Sequence, residues 1–426
     1  LPTFITCFPG LAIYDGPAQT VSLSRHHPFL HTMFVQFCCL VQNVTGMVSW
    51  VLVYSILQFV LFTFAYALIF LKMRKLGVAN IYLVVTFCIT AVFPLNGLLA
   101  ITTTKDVLFS LLFALWVLEL IDLIKDSSNY LNNRGSIVRF AVISILMCGF
   151  RNNALYVFVA TGIIFAFFIR QSRKKWIISV ASIAIAFGMF NGPVLTAAGI
   201  PQGNIREALS VIIQPLARTY NYASDYLTED EKTTIEQLFN GDAPWYVSHI
   251  SDAPKSQFNS NVFKENMPGY LGFYIREGLK YPTIYMDALL ATTYGNWYPF
   301  ETLPDETCFR LYFEFPDKTA SEYGTVFAGY YDWLKNFSRN SSYNSILPLK
   351  MVMSGGFAFW MMLAALAYDI IRKKARISMI VIPSIMLWGT IMLGPVALFR
   401  YSYPLMVTNI IVLGLIFTDY FSNKTK

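Results

Sequence analysis

Three cations in an otherwise apolar sequence are of the residue types that bind phosphate groups. Lys105, Arg151 and Arg400 each stand next to a long apolar stretch. Guanidinium and ammonium groups donate charge-assisted hydrogen bonds to phosphate oxygens, and a charged side chain close to a membrane segment is usually functional. We therefore expect at least two of these three side chains to bind the phosphate of a lipid. The polar residues beside them that we include in this predicted donor site are Asn152, Asn153 and Tyr401.

Two acids could take part in chemistry, one in a turn-rich stretch and one next to a cation. Asp15 lies in the turn-rich stretch FPGLAIYDGPAQ, and Asp106 directly follows Lys105. A positioned carboxylate can act as a general base that takes the proton of a hydroxyl group. Each acid also has a structural interpretation, because Asp-Gly-Pro is a common turn sequence and Thr104 before Asp106 is typical of a helix start. The residues alone leave both interpretations open.

Three of the four histidines lie close together, at His26, His27 and His31. His27 and His31 would share one helix face and, with Asp15, could form a zinc or manganese site. Pro28 interrupts this run and the sequence has no HExxH motif, so we predict no metal or other cofactor and keep the metal as the alternative. The residues that we assign to an acceptor pocket are Gln19, His26, His27, Trp297 and Tyr298. Anchoring at a membrane interface is the alternative for the two aromatic residues.

The composition indicates what kind of scaffold must position these residues. Of the 426 residues, 55% are hydrophobic and only 13% are charged, which excludes a water-soluble globular fold. The net charge of +7 does not indicate a nucleic-acid partner, because the basic residues form short clusters between apolar runs. We predict a mainly α-helical, polytopic membrane protein. Apolar runs near the ~20 residues that a span needs lie at 46–71, 78–101, 107–124, 176–197, 348–371, 377–399 and 401–421.

The basic clusters predict the orientation of the chain. Pairs of spans separate them, so that all of them and the C-terminus can be cytoplasmic at once. If Arg139 and Arg170 are both cytoplasmic, the roughly 31 residues between them form a short, re-entrant-type helix pair. Its turn at 151–153 would lie below the outer membrane surface, where a charge must be buried in protein or line a wet cavity. The clusters are Lys72/Arg74/Lys75, Lys125/Arg134/Arg139, Arg170/Arg173/Lys174/Lys175, Arg372/Lys373/Lys374/Arg376 and Lys424/Lys426.

This orientation divides the chain into four parts. We predict an extracytoplasmic loop at 1–45 with the candidate catalytic acid, transmembrane helices at 46–196, an extracytoplasmic domain at 197–347 and C-terminal transmembrane helices at 348–426. Thr228 and Glu231 have the spacing of a capping box, with Gly241 as a helix stop, which predicts short helices and loops in the domain. An outer N-terminal segment also predicts a further helix upstream. No P-loop, GxGxxG or GxSxG motif is present, which argues against ATP-driven transport.

Several motifs resemble a functionally uncharacterised family of multi-pass membrane proteins of Gram-positive bacteria, which is itself similar to the GT-C glycosyltransferases. The resemblance runs in order over nearly the whole chain. The motifs are FPGLAIYDGPAQ, HHPFLHT, ITTTKDVLFS, FRNNALYVF, QPLAR from Gln214, ISDAPK from Ile250, GNWYP from Gly295 and FRYSYPL near the C-terminus.

The resemblance to GT-C enzymes implies a function and roles for the acids. Such enzymes transfer a sugar from a polyprenyl-phosphate carrier, and their first outer-loop acid is the catalytic base. By position Asp15 would be that base and Asp106 the second acid. The implied partners are a polyprenyl-phosphate sugar donor, a cell-envelope glycan or lipid acceptor and membrane lipids, at the outer face of a bacterial plasma membrane. A single base with direct displacement would invert the sugar carbon.

Two other functions fit parts of the sequence. A lipid or polysaccharide transporter or flippase would use the three cations as a phosphate pathway without breaking a bond. Charges that reach the membrane midplane from both sides would favour it, whereas here they gather on one predicted side. A non-enzymatic scaffold would bind a partner through 197–347, but it would not explain a charge at the turn of the short helix pair.

Overall fold

The computed structural model describes residues 1–12, 16–21, 23–299, 327–338, 342–373 and 376–422. Within these ranges the protein is mainly helical and has no β-strand, only two isolated bridges. The predicted helical class is therefore confirmed. Four helical segments are long and apolar enough to cross a membrane, namely Trp50–Lys75, Lys105–Lys125, Arg173–Ala197 and Phe399–Asp419.

The helices fall into three consecutive groups. The first group is α1 (Pro2–Thr6), α2 (Phe29–Thr45), α3 (Trp50–Lys75), α4 (Asn80–Val92), α5 (Pro94–Leu99), α6 (Lys105–Lys125), α7 (Ser127–Asn132), α8 (Arg134–Phe150), α9 (Ala154–Phe168), α10 (Arg173–Met189) and α11 (Leu195–Ala197), with a π-helical turn at Phe190–Val194. The second group is α12 (Ser210–Tyr222), α13 (Glu229–Leu238), α14 (Asp252–Gln257), α15 (Ser260–Glu265), α16 (Met267–Lys280) and α17 (Pro282–Thr293). The third group is α18 (Ala328–Ser338), α19 (Leu347–Val352), α20 (Gly355–Ile371), α21 (Arg376–Met392) and α22 (Phe399–Ser422).

Three predicted spans are wrong as single helices. The run at 78–101 is broken between α4 and α5, because Phe93 is extended before Pro94 and proline cannot continue the helical hydrogen bonds. The run at 348–371 is broken at Ser354, whose side chain caps α20. The run at 377–399 ends early, because α21 stops at Met392 and a connecting segment precedes α22. Apolar composition continues through these breaks, so a hydropathy count does not detect them.

Helix α6 is the central helix of the apolar bundle. It packs against α3, α8 and α22. Val107, Leu108 and Phe109, which are consecutive and therefore point to different sides of this helix, are all buried. A helix that is apolar all round requires neighbours on every side. The N-terminus of α6 is therefore held rigidly inside the bundle, and this is where Asp106 lies.

The C-terminal end of α6 and the following turn collect side chains from three basic clusters. Lys72 pairs with Asp122, and Arg139 Nε donates to Glu119 Oε1 at 2.7 Å. Lys175 donates to the side chain of Asn132, in α7. At 1.5 Å per residue, α6 separates this end from Asp106 by about 24 Å. The bundle thus has one basic end and, at the other end of α6, a different polar site.

The second group of helices forms its own apolar core. Its central members are Ile213, Leu216, Ile235, Leu238 and Phe239. The predicted capping box of Thr228 and Glu231 is confirmed at the start of α13. This group is attached to the bundle through the segment before α22, where Ile250 bridges Val396 and Ser251 N donates to Pro395 O at 2.8 Å. The segment that carries Arg400 is therefore in contact with both parts.

Candidate functional site

Three charged side chains that are far apart in sequence meet at the N-terminus of α6. Arg151 Nη1 lies 3.0 Å from Asp106 Oδ1, and Arg400 Nε lies 3.5 Å from Asp106 Oδ2. The side chains of Asp106, Arg151 and Arg400 are only 2%, 10% and 11% exposed. We call these three residues the acid–arginine cluster. Two guanidinium groups thus meet at one carboxylate, and guanidinium N–H groups are strong donors to anions.

The position of Asp106 follows from the local sequence at the start of α6. Thr104 is the N-cap, and its side chain accepts from Asp106 N and donates to Asp106 Oδ2 at 3.2 Å. Threonine is a favoured N-cap and an acid is stabilised in the first helical turn. The predicted helix start at Thr104 is confirmed. The same residues that begin the helix also fix the carboxylate that the arginines contact.

The predicted turn at 151–153 positions Arg151. The residue has an extended backbone at the end of α8, and α9 begins at Ala154. Arg151 Nε donates to Asn153 Oδ1 at 3.0 Å, and Asn153 Nδ2 donates to Thr390 Oγ1 at 2.7 Å on α21. The Asn153 amide therefore ties the guanidinium to a second helix. Asn152 contacts the site's edge, with Nδ2 donating to the His26 carbonyl at 3.4 Å.

Aromatic rings flank both guanidinium groups. The Arg151 guanidinium carbon lies 5.1 Å from the Phe109 ring centre and 4.9 Å from that of Tyr401. The Arg400 guanidinium carbon lies 5.2 Å from the same Tyr401 ring. Such contacts hold a cation without neutralising it. The ring contacts therefore keep the side chains in place and leave the guanidinium groups charged.

The N-termini of three helices lie at this cluster. Asp106 is in the first turn of α6, Arg400 is in the first turn of α22, and Arg151 and Asn153 immediately precede α9. Each helix N-terminus has a partial positive charge of roughly half an elementary charge. The helix ends therefore add to the positive potential of the arginines.

A buried polar network extends from the cluster into the first segment of the chain. Tyr54 Oη donates to Thr104 O at 3.4 Å and lies 2.9 Å from His31 Nε2. His31 Nδ1 lies 2.9 Å from Gln19 Oε1, which also accepts from Thr32 Oγ1. Both ring nitrogens of His31 are engaged in this network. Sequence reasoning missed Tyr54, for which the sequence gives no signal.

The loop on either side of Asp15 is attached to the segment that precedes Asp106. Leu11 N donates to Ile101 O and Thr103 N donates to Leu11 O, both at 3.0 Å. Gly16 packs against Thr103 so closely that a Cβ would collide with its side chain. Asp15 itself lies outside the described residues. Its catalytic role therefore stays a prediction.

The other predicted site residues lie in three further places. His26 is exposed and stacks edge-on with His27 at 4.7 Å between ring centres. Trp297 and Tyr298 pack at the start of α20, where Trp360 Nε1 donates to Trp297 O at 2.9 Å. Lys105 is partly exposed beside Asp106. Among the described residues no group of three His, Cys, Asp or Glu side chains could hold a metal ion.

A largely apolar cavity of about 270 Å³ adjoins the turn at 151–153. It lies between α2, α8 and the α10 end. Its lining includes Leu30, Leu146, Phe187 and Phe190, and Asn152 stands at its edge. An apolar cavity beside a positive site can take a molecule with a hydrocarbon part and an anionic head.

Comparisons with known proteins bear on the whole chain. No curated protein matches it, and no solved structure matches it. The model of one family, described as a family of unknown function (DUF6020), matches residues 7–424. That match includes the loop around Asp15 and all three members of the acid–arginine cluster. The chain belongs to the DUF6020 family.

Proposed function

We propose that this protein is a multi-pass membrane glycosyltransferase of the GT-C type. It transfers a sugar from a polyprenyl-phosphate carrier to an extracytoplasmic hydroxyl of a cell-envelope glycan or lipid. The observation that carries this proposal is the acid–arginine cluster, because it is buried, contains two guanidinium groups and lies beside an apolar cavity. A lipid phosphate has the matching anionic head and hydrocarbon chain.

The two ends of the bundle support a membrane orientation. The basic side chains of Lys72, Arg139 and Lys175 all contact residues near the C-terminal end of α6 or in the turn after it. Basic residues are enriched on the cytoplasmic side of membrane proteins. The cluster at the other end of α6 is then extracytoplasmic, with the helices of 210–293 on the same side.

The donor phosphate binds to Arg151 and Arg400. The planar guanidinium group of arginine donates hydrogen bonds in a geometry that matches phosphate oxygens. Three helix N-termini add partial positive charge. Asp106 is engaged by both guanidinium groups, which favours a role in holding them apart and oriented over a role in proton abstraction. The prenyl chain extends toward the apolar cavity beside Asn152.

The transfer is a single displacement. The acceptor oxygen forms a bond to the anomeric carbon as the bond from that carbon to the phosphate oxygen breaks. The hydroxyl proton passes to Asp15, the proposed base, and the electron pair of the broken bond stays on the lipid phosphate. Arg151 and Arg400 stabilise that negative charge. The configuration at the anomeric carbon is inverted, because one displacement occurs without a covalent intermediate.

Binding of the lipid phosphate tests the proposal. Purified protein in nanodiscs is titrated with a polyprenyl phosphate, and the wild type is compared with Arg151→Ala, Arg400→Ala and the control Arg173→Ala. Arg173 is exposed and lies at the basic end. Loss of one charge-assisted contact should weaken binding about tenfold or more, whereas the control should bind normally. Unchanged binding in both cluster variants contradicts the proposal.

A further inference from the structure

A second cavity lies among the helices of the second group, away from the acid–arginine cluster. It has a volume of about 150 Å³ and is partly open. Helices α12 and α17 form its sides, Ser251 at the start of α14 contributes, and Met392 and Gly394 close it from the segment before α22. Two of its walls come from motifs that the donor site does not use, QPLAR from Gln214 and ISDAPK from Ile250.

Four polar side-chain atoms of residues that line this cavity have no hydrogen-bond partner among the described residues. They are Ser210 Oγ, Gln214 Oε1, Ser251 Oγ and Tyr285 Oη. Ser210 and Gln214 are only 2% exposed and Ser251 is fully buried. Buried polar atoms are nearly always hydrogen-bonded, and each one left without a partner destabilises the fold. Four such atoms around one cavity suit it to a polar ligand.

The neighbouring contacts hold the lining side chains in place. Gln214 Nε2 donates to Val247 O at 2.6 Å, which leaves its oxygen as an acceptor. Ser251 is held by its backbone N–H, which donates to Pro395 O. Tyr274 Oη donates to Val211 O at 3.1 Å, so that its ring forms part of the wall beside Tyr285. The polar atoms are therefore preorganised for a ligand.

The chemistry of the lining identifies the class of ligand. None of the described residues that line the cavity is charged, which favours a neutral ligand because a buried ion needs a partner. Burial raises the pKa of the Tyr285 hydroxyl, so it stays a neutral donor. The lining alternates these polar atoms with apolar surfaces from Pro215 and Leu289. This pattern of polar and apolar surfaces matches a ring that has hydroxyl groups at its edge and apolar faces above and below.

The volume limits the size of the ligand. At about 30 Å³ per molecule the cavity would hold roughly five waters, and a cavity of this volume can take up a six-membered ring. We propose that this cavity binds one neutral pyranose ring, through hydrogen bonds to Ser210, Gln214, Ser251 and Tyr285. The ligand is either a free monosaccharide or the terminal residue of a glycan.

The position of the cavity suits the bound sugar to the role of acceptor. Gly394 lines it, and Pro395 bonds to Ser251, only a few residues before Arg400. A bound sugar would therefore lie against the segment that carries an arginine of the donor site. Its assignment as the acceptor sugar rests on the proposed function; its binding does not.

Direct binding to the full chain in nanodiscs tests the site. Glucose, galactose, mannose and N-acetylglucosamine, and a short oligosaccharide of each, are titrated to about 50 mM, since a single sugar ring is expected to bind weakly. Ala288 is buried in the wall, and Ala288→Leu fills the cavity without removing a polar atom. Thr283→Leu, at an exposed position of the same helix, is the matched control.

We expect at least one of these sugars to bind, with Ala288→Leu reducing its affinity more than tenfold and Thr283→Leu leaving it unchanged. Ser251→Ala should weaken binding about threefold to tenfold, as expected for one lost hydrogen bond, and the exposed control Ser256→Ala should not. Ser251→Ala removes one atom, so it remains informative if Ala288→Leu does not fold. Tighter binding of an oligosaccharide than of its monosaccharide assigns the ligand to a glycan end.

Two results overturn the inference. If no probe binds, the cavity holds only water. If binding is the same in Ala288→Leu and Ser251→Ala as in the wild type, the sugar binds elsewhere. Neither result depends on lipid-phosphate binding by Arg151 and Arg400, so failure here and failure of the proposed function can be told apart.

Discussion

Replacing Asp106 by asparagine tests whether the acid–arginine cluster is a strained, positively charged site. Asparagine keeps the shape of the side chain and one oxygen that can accept from Arg151 Nη1. It removes the charge that lies 3.0 Å from Arg151 and 3.5 Å from Arg400. Two guanidinium groups, each about nine-tenths buried, then lose the carboxylate that both of them contact.

The expected loss of stability follows from this burial. Removing one partner of a buried ion pair destabilises a protein by about 3–5 kcal/mol, and the retained hydrogen bond places Asp106→Asn near the lower end. For a chain of this size we expect the thermal unfolding midpoint to fall by about 3–6 °C. Asp122→Asn, at the basic end, is the matched control; its carboxylate is 24% exposed, so its loss should matter much less.

Lipid phosphate should partly restore the variant. Asp106→Asn removes one negative charge from the cluster, so a polyprenyl phosphate should bind more tightly to this variant than to the wild type. A ligand that binds the folded state raises its stability by mass action. Thermal unfolding in nanodiscs with and without the lipid measures this. Equal stability of Asp106→Asn and wild type, or an equal effect of the lipid on both, would refute the reasoning.

Two further substitutions test other parts of the structure. Gly10 has φ +127° and packs against Ser55, so Gly10→Ala should displace the loop before Asp15. Sugar transfer should then fall at least tenfold while lipid-phosphate binding persists. Normal sugar transfer in this variant would contradict the placement of the loop at the site. Burial raises the pKa of Glu277 above its ordinary value of 4.5, despite the contact with Arg276. A raised carboxyl pKa means that stability is lost as pH rises from about 4.5 through the folded-state pKa. Glu277→Gln should therefore raise the unfolding midpoint at pH 7 and reduce its fall between acidic and neutral pH, and an unchanged pH profile would contradict it.

Local signals in the sequence predicted local features correctly. The capping box at Thr228 and the helix start at Thr104 depend on residues three or fewer positions apart, and both are present. The turn at 151–153 was predicted from charge placement and arm length, and α8 and α9 meet there. Such features depend on the geometry of a few neighbouring residues, which the sequence contains directly.

Contacts between distant residues were only partly predictable. The sequence assigned Arg151 and Arg400 to one site, but it could not reveal that Asp106 joins both, because that contact depends on how three helices pack. The same applies to the link from Tyr54 through His31 to Gln19. The break at Pro94 had a local signal that the hydropathy count ignored. Asp15 lies outside the described residues, so its role stays a prediction.

Sugar transfer in proteoliposomes tests the central claim most directly. The wild type, Asp15→Asn and the exposed control Asp242→Asn are assayed with a panel of polyprenyl-phosphate sugars and cell-envelope acceptors. We expect transfer with inversion by the wild type and the control, and a fall of roughly 10² or more in Asp15→Asn with donor binding retained, because asparagine cannot accept the proton. Near-normal turnover in Asp15→Asn would remove Asp15 as the base. A wild type that transfers no sugar from any donor, yet moves one across the bilayer, would contradict the glycosyltransferase and make the protein a transporter.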